Sequence, residues 1–196
     1  MNYYLNIIIK PDAEMRLNLL MNNIYTKLHK ALFDSKLTTV GVSFPVGVSF
    51  PVGVSFPMYN LMLGNVLRIH GNQTTLQKLQ NSNWIGGLYG YCEVSKIQLV
   101  PEDTKFRTIS RVQSTMSNAK LKRLQKRGSI STDEVKQYKA KMFSQGLDNP
   151  YLELVSTSNG HKHRRYLVFG EITDNPVSGE FDFFGLSKTA TIPWFE

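Results

Sequence analysis

Residues 3–9 (YYLNIII) form a β-branched and aromatic run closed by Pro11 and Asp12, which predicts a strand. Behind it Leu17, Leu20, Met21, Ile24, Leu28 and Leu32 recur three and four residues apart. That spacing predicts an amphipathic helix reaching about Phe33. Residues 37–44 and 65–70 (NVLRIH) predict two further strands. Asn72 opens a short helix over 72–79 with a capping residue, and 91–100 (YCEVSKIQLV), closed by Pro101, predicts a fourth strand.

The order β-α-β-β-α-β is that of a ferredoxin-like domain, expected over residues 1–104 of an α+β chain. RNA-recognition domains share this order with many unrelated proteins. The aromatic signature of the common RNA-recognition motif is missing from the third strand.

The remaining residues, 105–196, predict an RNA-binding region with a basic helix and a β-hairpin. Read as one strand, 105–113 (KFRTISRVQ) aims Lys105, Arg107, Ile109, Arg111 and Gln113 one way and Phe106, Thr108, Ser110 and Val112 the other. Such a face suits either a reader of base edges or an edge strand kept soluble by charge. Asn118 then caps AKLKRLQKR, in which Lys122 and Lys126, and Arg123 and Arg127, stand four apart as a basic face. Ser131 and Glu134 form a capping box for another helix through Met142. YLELVSTS and HKHRRYLVF flank Asn159-Gly160, a strong hairpin signal. Residues 179–187 (GEFDFFGLS) predict one more strand before the terminal TIPWFE.

The hexamer GVSFPV occurs twice from Gly41, and a third copy ends in Met58. Buried repeat architectures use units of roughly 20–50 residues. Pro45, Pro51 and Pro57 each remove a backbone donor. One copy therefore reads as a strand end and the other two as loop, a local duplication and not a repeat fold.

Charge changes the picture. The net charge is +8, but residues 1–104 hold 8 Lys/Arg against 6 Asp/Glu, 105–141 hold 11 against 2, and 142–196 hold 4 against 7. A basic block of this kind is an electrostatic footprint for a polyanion, with a solvated lysine-rich helix as the plainer alternative. No apolar run reaches the ~20 residues of a membrane span, and the N-terminal segment lacks the basic start of a secretory signal. The lone Cys92 excludes an internal disulfide and a cysteine zinc site, and fits a reducing, cytoplasmic setting.

Among the histidines, His70 at a strand end reads as structural. His161 and His163 form H-x-H without further ligands at suitable spacing. His29 borders the apolar stripe of the first helix, as a half-exposed helix histidine or a proton-transfer group. No G-x-S-x-G, P-loop, H-E-x-x-H or paired-carboxylate motif is present.

Nine short stretches carry a resemblance, in order and nearly end to end: YYLNI, KLHKAL around His29, one GVSFP, LGNVLRIHG, ISRVQ, KRLQKR, STSNG at 156–160, GLSK at 185–188 and PWF. Together they resemble the CRISPR repeat-processing endoribonucleases of the type I-F branch, the stem-loop-cutting members of the Cas-six family. The resemblance implies a ferredoxin-like domain followed by an arginine-rich helix. It implies cleavage at the 3′ base of the repeat hairpin by the upstream ribose 2′-hydroxyl, giving a 2′,3′-cyclic phosphate with no metal or other cofactor. The product-bound enzyme then joins the surveillance complex.

By the same resemblance His29 is the catalytic histidine, and Ser156 orients the 2′-hydroxyl with Ser158 on the same strand face. Arg111 and Gln113 read base edges, and Lys122, Arg123, Lys126 and Arg127 follow the phosphates. Two positions depart from the family. Phe184 replaces a tyrosine that helps place the histidine, and Arg164 or a neighbour replaces the aromatic under the terminal base pair. Two other readings stay open: a non-catalytic stem-loop-binding subunit, and a general RNA-binding protein.

Overall fold

The computed structural model describes residues 1–45, 63–112, 118–147, 149–155 and 160–195. Its strands are β1 (Tyr3–Ile9), β2 (Gly41–Ser43), β3 (Val66–Gly71), β4 (Cys92–Val94), β5 (Gln98–Leu99), β6 (Lys105–Arg107), β7 (Ile109–Val112), β8 (Tyr151–Val155), β9 (Lys162–Phe169) and β10 (Ile192–Trp194). Its helices are α1 (Leu17–Asp34), α2 (Gln73–Asn81), α3 (Asn118–Lys126) and α4 (Thr132–Leu147).

The first sheet runs β2-β3-β1-β4, all antiparallel, with β5 also paired to β1. Alternation within β1 buries Leu5, Ile7 and Ile9. These meet the α1 stripe, where Leu20, Ile24, Leu28 and Leu32 are sealed from solvent. Each such side chain contributes roughly 1.5–3 kcal/mol by leaving water. Asn72 caps α2, its Oδ1 accepting from the Thr75 N–H at 2.7 Å. No helix among the described residues is long and apolar enough to cross a membrane.

A three-stranded sheet, β7-β9-β8, and a two-stranded one, β10-β6, follow. One hydrophobic core joins the two parts of the chain, with Ile109, Leu152, Leu154 and Leu167 in the same cluster as the β1 and α1 residues. The Glu153 N–H donates to Asn22 Oδ1 of α1 at 3.0 Å, which fixes the second sheet against that helix.

Several expectations are corrected. The strand expected over 37–44 is confined to Gly41–Ser43. The strand expected over 91–100 divides into β4 and β5, and a 3₁₀ turn over Gly86–Tyr91 precedes it. The expected strand 105–113 breaks at Thr108: β6 pairs with β10 and β7 with β9. Its supposed common face is lost, because Ile109 is buried while Lys105 and Arg111 are exposed.

Residues 179–187 form turns and not a strand. The Asp182 carboxylate accepts from the Phe184 and Leu186 N–H groups, both at 2.9 Å, offering the backbone local partners in place of a ladder. The helix after the capping box extends to Leu147, past Met142. The box itself forms, the Ser131 N–H donating to Glu134 Oε2 at 2.8 Å and the Glu134 N–H to Ser131 Oγ at 3.3 Å. The second and third hexamer copies and Asn159 lie outside the described residues.

Candidate active site

The turn at 181–187 fills the junction between the two parts of the chain. Phe181 N–H donates to Thr38 O, Val42 N–H to Gly185 O and Ser187 N–H to Ile109 O, at 2.9–3.0 Å. Gly185 has φ +70°, and a Cβ there would stand 2.7 Å from Val42 Cγ1. Only glycine fits that conformation and that approach together.

Helix α1 grips this turn from one side. Tyr25 and His29, four residues apart and so one above the other on a helix face, hold consecutive carbonyls. Tyr25 Oη donates to Phe184 O at 2.7 Å, and His29 Nδ1 lies 2.9 Å from Phe183 O. A carbonyl only accepts, so Nδ1 carries a proton, and whenever the ring is neutral its lone pair is on Nε2. Burial pushes the Tyr25 phenol far above its ordinary range, so it stays a hydrogen-bond donor.

The His29 imidazole stacks on the Phe184 ring, centroids 3.5 Å apart and planes 10° from parallel. Arg165 Cζ lies 3.4 Å from the same Phe184 centroid. Two groups cannot share one ring face at that distance, so Phe184 is sandwiched between imidazole and guanidinium. Burial, opposed mainly by Tyr25, lowers the affinity of Arg165 for its proton. Arg111 adds like charge beside it from β7. Phe33 and Phe183 meet edge to face at 5.3 Å and extend the aromatic rim beyond His29.

Of the residues singled out in the sequence, His29 and Phe184 meet directly, and Arg111 lies near them through Arg165. Ser156, Ser158 and Gln113 lie outside the described residues. Strand β8 ends at Val155, immediately before Ser156.

The other cations are placed differently. Arg107 donates to Gly170 O at 2.7 Å and 3.1 Å and lies over Trp194 and Phe169, a brace between β6, β10 and β9. Lys105 is ion-paired with Asp174. Arg164 stacks over Tyr151 at 4.5 Å, beside Glu153 at 3.6 Å. Lys122, Arg123, Lys126 and Arg127 are exposed along α3 and its end, where Leu121 is sunk.

His70 is fully buried, its Nε2 2.8 Å from Ser43 Oγ. Burial, aided by Arg68, lowers its pKa to about 3. It is a neutral core residue. His161 and His163 are exposed, and among the described residues no group of three or more His, Cys, Asp or Glu could hold a metal ion.

Sequence reasoning missed Tyr25, Phe183 and Arg165. Tyr25 had a signal, its i−4 position from His29; the other two had none, since they are 154 and 136 positions further along.

Comparison with known proteins bears on this arrangement. A sequence model of the family described as "CRISPR-associated protein (Cas_Csy4)" matches residues 4–195. The chain belongs to that family. It is 36% identical over 196 residues to the "CRISPR-associated endonuclease Cas6/Csy4" of Escherichia coli (strain UTI89 / UPEC), all of both chains being covered. It is 32% identical, again over the full length of both, to the protein of the same description from Pseudomonas aeruginosa (strain UCBPP-PA14). Among solved structures, "Structure A of CRISPR endoribonuclease Cse3 bound to 19 nt RNA" aligns over 98% of this chain and 100% of that one. With a TM-score of 0.40 and 11% identity, that likeness is too slight to add to the fold.

Proposed function

We propose that this Cas_Csy4 family member is an endoribonuclease that cuts CRISPR precursor RNA at the base of the repeat hairpin. It retains the guide RNA and takes its place in the type I-F surveillance complex. Full-length identity to two proteins described as endonucleases supports the activity. The carrying observation is the fixed imidazole: with Nδ1–H held by Phe183 O, His29 turns its Nε2 lone pair to other partners.

In this reading the ribose 2′-hydroxyl attacks the adjacent phosphorus, and the bond to the 5′-oxygen breaks. The 2′-proton passes to a base, and the leaving oxygen receives one. His29 serves one of these transfers, and the products are a 2′,3′-cyclic phosphate and a 5′-hydroxyl. Neither step calls for a metal ion. Ser156, next along the chain from β8, orients the nucleophile, and Ser158 supports it. Arg111 and Gln113 read base edges, the face of α3 follows phosphates, and Arg164 offers a guanidinium plane to a base. The antiparallel order β2-β3-β1-β4 supports reading residues 1–104 as the ferredoxin-like unit.

A non-catalytic stem-loop binder is the second reading, favoured by Phe184, which offers a ring but no hydroxyl beside His29. Purified protein in EDTA with its repeat hairpin separates the two. Cleavage is expected, blocked by a 2′-deoxy nucleotide at the cut site and abolished in His29→Ala with hairpin affinity retained. Cutting of the 2′-deoxy substrate overturns the mechanism; intact RNA bound tightly by the unmodified protein supports the second reading.

A further inference from the structure

The geometry points to Arg165 as a positioning residue for His29, acting through Phe184; the inference rests on the nuclease reading above. Arg165 is only 6% exposed, and its Nε meets no hydrogen-bond acceptor. A buried guanidinium in that state is costly unless something else holds it. What holds it is the ring of Phe184, whose face is electron-rich, at 3.4 Å.

The consequence reaches the imidazole. A ring pressed on one face by a cation anchored in β9 cannot tilt away, and its other face supports His29 at 3.5 Å. Hydrogen bonds fix the backbone of the turn: Tyr25 holds Phe184 O and Asp182 holds the Phe184 N–H. They act on the backbone only; the ring itself is placed by packing, against the core and Tyr25, with the Arg165 guanidinium closing the face opposite His29. Asp182, Tyr25 and Arg111 are the charged or titratable groups facing the guanidinium. None of them reaches Nε, which stays without an acceptor. In a chain with phenylalanine at position 184, the cation supplies from behind the anchoring that the ring cannot obtain through a hydroxyl.

The test pairs NMR with kinetics. In the unaltered protein the His29 ring protons and the Arg165 Nε–H are expected upfield of their unstacked positions, shifted by the Phe184 ring current. An Arg165 Nε–H at its ordinary position overturns the inference without any variant. Arg165→Met keeps the buried volume and removes the cation. It is expected to return the His29 protons toward unstacked values and to slow single-turnover cleavage about tenfold or more, with hairpin Kd within a few-fold. Arg165→Lys, which restores the charge, is expected to recover part of both. A folded Arg165→Met with unchanged His29 shifts refutes the positioning role. An equal loss in Kd and rate also refutes it, since the residue then serves binding. The NMR readout does not depend on nuclease activity, so failure of the nuclease reading is seen separately, as intact RNA with the unaltered protein.

Discussion

His29 and Phe184, 155 positions apart, lie face to face 3.5 Å from each other and within 10° of parallel. The stack and the Nδ1 bond to Phe183 O together leave the imidazole one orientation. A near-attack geometry lost by about 1 Å can cost on the order of a hundredfold in rate. Phe184→Leu keeps apolar bulk and removes the flat face. Its single-turnover cleavage is expected to fall roughly 10- to 100-fold, with hairpin affinity within a few-fold. Phe184→Tyr keeps both faces and is expected to cut at least as fast as the unaltered protein. A leucine variant cutting at full rate rules out a role for the stack.

Gly185 sets where that ring begins. At φ +70° an L-residue is strained by about 1–3 kcal/mol. A Cβ would also press Val42 Cγ1 at 2.7 Å and Val42 N at 3.2 Å. Gly185→Ala is therefore expected to lower stability by at least that strain and to slow cleavage, because the turn and Phe184 move together. Urea melts and cleavage rates on the same sample check this. A variant with unchanged stability shows that the turn can shift without penalty.

How far the sequence carried the reading depends on how local each cause was. The α1 stripe was legible because its period lies within a few turns and the stripe from Leu20 to Leu32 is buried. The break at Thr108 was not legible, because alternation through 105–113 continues across it. Its cause is distant: Gly170 N–H bonds Thr108 O at 2.9 Å, and β6 and β7 pair with two different later strands, β10 and β9. Residues 179–187 read as a strand, yet Asp182 closes them into a turn. At the site, His29 was visible as a border residue of a helix. Its partners come from a turn more than 130 positions away, backed by a cation from β9, and one sequence does not encode that meeting in any period.

His70 makes folding stability depend on pH. Its pKa is about 3 in the folded protein against an ordinary 6.5. Between those values the unfolded chain binds one more proton than the folded one, so stability rises with pH through that window. The contribution is complete above about pH 6.5 and is lost as pH falls. One proton amounts to about 1.4 kcal/mol per pH unit, so this residue alone removes about 2 kcal/mol between pH 7 and pH 5. Chemical denaturation at the two pH values should show that loss, and His70→Gln should flatten it. Equal pH dependence in both proteins means that His70 is not the group responsible.

The basic helix gives a prediction that separates contact from mere charge. Lys122 and Lys126 are exposed on α3, four residues apart and so on one face. A lysine resting on a phosphate displaces a condensed counterion. Its removal therefore lowers the slope of log affinity against log salt by about 0.7–0.9 per contact. A lysine that only adds to the long-range field is screened over about 10 Å at 0.1 M salt and changes affinity mainly at low ionic strength. The Lys122→Ala/Lys126→Ala double variant is expected to reduce the slope by about 1.4–1.8 and to weaken repeat and scrambled hairpins alike. Binding titrations over a range of salt concentrations decide between the two. A slope unchanged within error removes α3 from the RNA interface.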